Sequence, residues 1–163
     1  MRLIEQSVAR DDPDPKALAC YGVLLRWADD QPEEVWLRFV DGRPVSAITT
    51  LFLADCCDRL AARGKRVWAL VWDNASWHVS QAVSGWLREH NRRVKQTGRG
   101  VRILPCRLPV KSPWLNPIEP KWAHGKRAVV EPARLLSATE LEERVCGFFG
   151  CHPQDHLIAQ QAA

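Results

Sequence analysis

No stretch of this 163-residue sequence is apolar for long enough to cross a bilayer. The longest uninterrupted run is Val67-Trp68-Ala69-Leu70-Val71-Trp72, whereas a spanning helix needs about 20 predominantly apolar residues. The start, Met1-Arg2-Leu3-Ile4-Glu5, lacks the apolar core of a secretory signal. These absences argue against a membrane role and make the cytosol the expected compartment. C-x-x-C pairs are missing too. The six cysteines are Cys20, Cys56, Cys57, Cys106, Cys146 and Cys151; they fall mostly in apolar runs and read as reduced core thiols. Cys151-His152-x-x-x-His156 contains residue types that bind zinc, but no second ligand pair has matching spacing. Internal repeats and low-complexity tracts are absent, which excludes solenoid and array architectures.

What is present is the composition of a soluble globular domain, 46% hydrophobic and 26% charged, in a chain long enough to bury a core. The net charge of +4 is unevenly spread. Residues 1–45 carry 6 Lys/Arg against 9 Asp/Glu, and residues 46–163 carry 17 against 10. A basic C-terminal portion is compatible with a nucleic-acid partner, although a solvated basic face has the same composition.

Periodicity supplies the elements. Tyr21, Val23, Leu25 and Trp27 alternate with their neighbours and predict a strand over 20–27. Val35–Val40 is its hairpin partner, stopped by the turn signal Asp41-Gly42. Ile48, Phe52, Cys56 and Leu60 recur every four residues and predict a helix that ends at Gly64. Val67–Trp72 reads as a strand of parallel type, buried on both faces. Ser80 can cap a second helix bearing Val83, Trp86, Leu87 and His90 on one side. The basic segment 91–100, with two glycines, reads as a loop, and 101–104 as a short strand closed by Pro105. Asn116-Pro117-Ile118-Glu119 has the order of a helix start: cap, proline at the first position, reach-back glutamate. Ser137-Ala138-Thr139-Glu140 is a capping box opening a last helix. The tail from Cys151 is weakly patterned and expected to fray. A hairpin followed by strand–helix alternation predicts an α/β fold with a mixed sheet, whose functional groups gather at the carboxyl ends of parallel strands.

Two runs carry chemistry. In Val71-Trp72-Asp73-Asn74-Ala75-Ser76-Trp77-His78 a carboxylate follows directly on the apolar strand. Its bland role is to turn the chain or cap the next helix. In Ser112-Pro113-Trp114-Leu115-Asn116-Pro117-Ile118-Glu119 a second carboxylate projects from the first turn of a helix, where a capping box explains it without function. Two carboxylates at neighbouring strand ends are also what a divalent-metal site needs, since Mg²⁺ takes hard oxygen ligands.

Together, D-N-A-x-x-H at Asp73–His78 and S-P-x-L-N-P-I-E at Ser112–Glu119 resemble the catalytic signatures of mariner-like DDE transposases and their bacterial insertion-sequence relatives. The signatures span 71–122, and the element order extends the resemblance over 19–149. It implies a ribonuclease H-like mixed sheet flanked by helices, with 1–18 as an irregular leader and 150–163 as a tail. It implies metal-dependent DNA strand cleavage and transfer, with Asp73 and Glu119 as the second and third catalytic carboxylates, meeting around two Mg²⁺ or Mn²⁺ ions. Asn74 and His78 would lie beside them, in orienting or phosphate-contacting roles. Arg92, Arg93, Lys111, Asn116 and Lys121 are candidate DNA contacts, as are Lys95, Arg99, Arg102, Arg107, Lys126 and Arg127, and Trp77 and Trp114 flank the motifs. The implied partners are transposon ends and target DNA, and further copies of the chain.

Two departures stand out. The interval from Asp73 to Glu119 is longer than the family's usual one, and segment 91–100 is expected to hold the excess as a loop insertion. The first carboxylate is not legible: Glu5, Asp11, Asp12 and Asp14 lie on no convincing strand, so the first, central strand is expected to be missing. The chain then reads as an N-terminally truncated catalytic domain, inactive alone. Alternatives are the downstream half of a split transposase complemented in trans by an upstream fragment, and a non-catalytic nucleic-acid-binding remnant.

Overall fold

The computed structural model describes residues 18–29, 31–41, 45–110, 112–131 and 134–158. Glu5, Asp11, Asp12, Asp14 and Lys111 lie outside them. In chain order the elements are β1 (Ala19–Leu25), β2 (Glu34–Asp41), α1 (Ser46–Ala62), β3 (Val67–Trp72), α2 (Gln81–Thr97), β4 (Arg102–Arg107), a 3-10 turn at Pro113–Leu115, α3 (Ile118–Ala128), α4 (Ala138–Phe149) and β5 (Leu157–Ile158). The composition is therefore α/β, as expected. The chain divides into two compact units, one built from β1, β2, α3 and α4, the other from α1, β3, α2, β4 and β5.

In the first unit β1 and β2 form the predicted antiparallel hairpin, with Tyr21 opposite Arg38 and Val23 opposite Trp36. Tyr21, Leu25, Trp36, Leu37, Phe39 and Val40 are buried. The Trp122 ring of α3 packs against Gly22. A Cβ at that position would stand 2.5 Å from the ring and 2.9 Å from Leu37 Cδ2, so only glycine lets helix and strand approach this closely. Trp122 meets Phe149 of α4 edge-on at 5.0 Å, and Gly125 leaves room for Phe148 and Phe149.

Helix α4 starts at the predicted capping box: Ser137 Oγ accepts from Glu140 N at 3.2 Å and Glu140 Oε2 accepts from Ser137 N at 2.9 Å. The expected fraying after Cys151 does not extend through the described tail to His156. Arg38 Nη2 donates to Asp155 O (2.9 Å), and His156 Nε2 sits 2.8 Å from Glu142 Oε2.

In the second unit α1 buries Ile48, Phe52, Cys56 and Leu60, the stripe read from the sequence, together with Leu53 and Cys57. Gly64 follows the helix at φ 71. β3 and β4 run parallel, Trp68 opposite Ile103 and Val71 opposite Cys106. Three expectations change here. β3 is not buried on both faces: Trp68, Leu70 and Trp72 point inward, while Val67 and Val71 are 58% and 47% exposed. Helices α1 and α2 provide the packing within this unit, and an alternating strand needs cover on one side only.

The segment 91–97 is helix rather than loop, because α2 runs to Thr97 and stops at Gly98 in the left-handed region. Its basic residues occupy the solvated side, while Val94 continues the stripe of Val83, Leu87 and His90. Asn91 holds both backbone groups of Ile103, donating to its carbonyl at 2.8 Å and accepting from its N–H at 2.9 Å. Seventeen residues of the long Asp73–Glu119 interval therefore lie in α2. Finally, β4 passes through Pro105 instead of ending there. Among the described residues β4 pairs with β3 alone, and a strand bonded on one edge tolerates a residue without an N–H.

Candidate functional site

The first motif lies at the carboxyl ends of the parallel pair. The ladder continues one step beyond the strands, Leu108 N donating to Trp72 O at 3.0 Å. The chain then turns at Asp73. Its Oδ1 accepts from Ala75 N at 3.0 Å, and His78 Nδ1 lies 2.7 Å from the same oxygen. The turn is closed by His78 N and Val79 N, both donating to Ala75 O. Asn74 Nδ2 donates to Leu108 O at 2.7 Å and so ties this turn to the end of β4.

The His78 ring stacks on Trp72, with centroids 5.1 Å apart and planes 15° apart, and meets Trp77 edge-on at 6.0 Å. Asp73 is 48% exposed at its side chain and His78 20%. The chain-turning role weighed for Asp73 is therefore real, but it uses only Oδ1. Among the described residues Oδ2 has no partner. Helix α2 is capped separately by Ser80, whose Oγ accepts from Val83 N at 3.2 Å.

The second motif carboxylate belongs to the other unit. Helix α3 starts at Ile118, with Pro117 in the cap position and no side-chain cap bond. The predicted box at Asn116 and Glu119 does not form, because the preceding 3-10 turn and Pro117, already helical at φ −63 and ψ −16, bring the chain in wound. Glu119 is consequently not engaged in capping. It is exposed in the first turn, and among the described residues no hydrogen bond or ion pair holds it. Negative charge at a helix N-terminus is favourable without a partner. Asn116 is half-buried at the approach to this turn.

The candidate DNA contacts are less uniform than the sequence implied. Arg92 pairs with Glu89 one turn back on α2, whereas the Arg93 side chain projects from the exposed face. Lys121 Nζ is 3.1 Å from Glu33 Oε2, and Glu33 also accepts from Arg26 Nε at 2.7 Å. Lys121, then Arg26, hold the Glu33 carboxyl below its ordinary range. Trp114 is 72% exposed, unlike the core tryptophans Trp36, Trp68 and Trp72. Two contributions escaped the sequence reading: Trp72 as the stacking surface for His78, and Glu33 as the partner of Lys121. The first had a signal in the adjacency of Trp72 to Asp73; the second needed the fold, because 88 positions separate the pair.

A strand-end carboxylate with one open oxygen and a helix-borne carboxylate without a partner, both within one stretch of chain, invite comparison with metal-dependent nucleases. The family model of DDE superfamily endonucleases matches residues 30–142. The chain belongs to this family. No curated protein and no solved structure matches it. The match includes every candidate site residue, Asp73 and Glu119 among them.

DDE superfamily membership makes this a transposase-type nuclease domain, and such domains act on DNA. Superfamily enzymes usually use divalent metals. The open Oδ2 of Asp73 and the carboxylate of Glu119 are the hard oxygen donors such ions take. Among the described residues no group of three or more His, Cys, Asp or Glu is arranged to hold a metal ion, and none of their helices is long and apolar enough to cross a membrane. Cys151, His152 and His156, whose spacing was weighed against zinc binding, form no such group among the described residues. His156 pairs with Glu142 instead.

Proposed function

We propose that this chain supplies Asp73 and Glu119 as ligands for Mg²⁺ or Mn²⁺ in DNA strand cleavage and transfer of the mariner-like insertion-sequence type, on a ribonuclease H-like core. One observation carries the reading: the Asp73 carboxylate, at the end of a parallel strand, has one oxygen held by the backbone and an imidazole while the other is open. Rigid strand ends hold such a group to within the tolerance that phosphoryl chemistry requires. Divalent ions bound there would polarise phosphate oxygens and activate the attacking hydroxyl. The chain's own contribution is to present oxygen donors and to fix their direction. Arg93, Arg99, Arg102 and Arg107 line exposed surface suited to phosphate contacts that carry no sequence information. Arg92 and Lys121 reach DNA only by exchanging their partners Glu89 and Glu33 for phosphate.

The test is a Mn²⁺ titration followed by electron paramagnetic resonance, with the intact chain and with D73N and E119Q. The intact chain is expected to bind Mn²⁺ and each variant to bind it at least roughly tenfold more weakly. Unchanged binding in D73N removes Asp73 from the metal site and with it this reading.

A further inference from the structure

His78 does more in this structure than occupy a motif position. Its Nδ1 is 2.7 Å from Asp73 Oδ1, closer than the 3.0 Å bond from Ala75 N to the same atom. An ionised carboxylate can only accept, so the hydrogen must sit on Nδ1 of the ring. The ring cannot swing away cheaply. Trp72 stacks on one face at 5.1 Å and 15°, and Trp77 closes on it at 79°. The two residues that fix the imidazole therefore lie on either side of Asp73 in sequence, one at the last position of β3 and one in the turn it begins. With Oδ1 taken by two donors, the carboxylate loses its freedom to rotate, and Oδ2 is the atom left without a partner among the described residues.

We propose that His78 is a positioning residue for Asp73, holding Oδ1 so that Oδ2 alone is presented to a divalent cation. This rests on the reading of Asp73 as a cation ligand and adds a role to it. His78 is thereby assigned to the carboxylate rather than to DNA phosphates. The physical gain is directional. A carboxylate that rotates freely must be ordered when the cation binds, whereas one already held by a neighbouring imidazole is ordered beforehand. Partners that orient a metal ligand in this way typically change metal affinity by about 10–100-fold when removed.

Two substitutions separate the hydrogen bond from the packing. H78F keeps a ring against Trp72 and removes the donor. H78N removes the ring but places an amide N–H near the former Nδ1. Mn²⁺ titrations of the intact chain, D73N, H78F and H78N are compared, each variant first being shown to melt cooperatively. The expected result is a loss of about tenfold for H78F and substantial recovery in H78N. Nitrogen-15 NMR of the imidazole in the intact chain, without metal, should report the Nδ1–H tautomer.

Wild-type affinity in H78F, alongside loss in D73N, overturns the positioning role and leaves the metal reading standing. Equal losses in H78F and H78N overturn it as well, because a donor restored near the Nδ1 position would then recover nothing. An Nε2–H tautomer in the intact chain overturns it without reference to metal. Unchanged binding in D73N defeats the metal reading and this proposal with it.

Discussion

Asp73, at the end of a strand, and Glu140, in the first turn of a helix, are both carboxylates, yet their surroundings leave them different freedom. Glu140 is fully engaged: Arg134 donates to it through two nitrogens at 2.9 and 2.5 Å, and Ser137 N donates at 2.9 Å. The Arg134 hydrogen bonds, followed by the Ser137 backbone bond, pull its carboxyl down to about 2. A folded-state value below the ordinary one means that the contribution to stability is present above the ordinary value of 4.5 and is lost as pH falls toward about 2. E140Q is therefore expected to melt below the parent at neutral pH, with the gap closing across that acid window. Paired melting curves from pH 7 to pH 2 check this, and a gap independent of pH would assign the effect to something other than charge. Asp73, by contrast, keeps one oxygen uncommitted, a state that a purely structural turn residue does not require. Cysteine chemistry is legible at the same scale. Burial pushes the Cys20, Cys57 and Cys146 thiols up to about 12, whereas Cys106 is exposed.

Among the elements, α3 carries the second candidate ligand, and its seat on the hairpin depends on the bare surface at Gly22. Adding one methyl there drives an atom to within 2.5 Å of the Trp122 ring. G22A is expected to cost about 1–3 kcal/mol, the usual penalty for overpacking, measured by urea unfolding. A companion change, W122L, should relieve part of that cost, whereas strictly additive effects would show that the two residues do not share the strain. Helix α2 shows a different balance. Its C-terminal half is too polar to be held by apolar burial alone, so Asn91 and His90 anchor it to β4 through the backbone of Ile103 and Val101. Such polar clamps have no period, which is why segment 91–97 reads as loop from hydrophobicity.

At the scale of the whole molecule, the two candidate ligands come from different compact units, Asp73 from one and Glu119 from the other. The same scale shows an apolar surface that, among the described residues, no element of the second unit covers. Val67 and Val71 of β3 and Leu104 of β4 are 58%, 47% and 40% exposed, on one face of the parallel pair. Exposed β-branched strand surface promotes association between chains. V71K is expected to raise the concentration at which light scattering appears while leaving the melting temperature nearly unchanged, since the side chain already faces solvent. An unaltered scattering threshold would locate association elsewhere.

What could be read from the sequence was local. The stripe of Ile48, Phe52, Cys56 and Leu60, the hairpin, the Ser80 cap and the Ser137–Glu140 box each depend on residues within a few positions of one another, and each forms as read. The motif carboxylates were legible for the same reason, since both sit at element ends that punctuation marks. Other features were decided by contacts across the chain. Pro105 stays inside a strand because β4 bonds on one edge; the Asn116 cap is forgone because the chain reaches α3 already wound; Lys121 is drawn to Glu33. Which oxygen of Asp73 is spent and which is open is set by His78 and by the Trp72 surface beneath it. Periodicity reports burial and propensity, which add up along the chain, whereas a hydrogen bond or a ring stack depends on distance and angle, and those exist only once the backbone has folded.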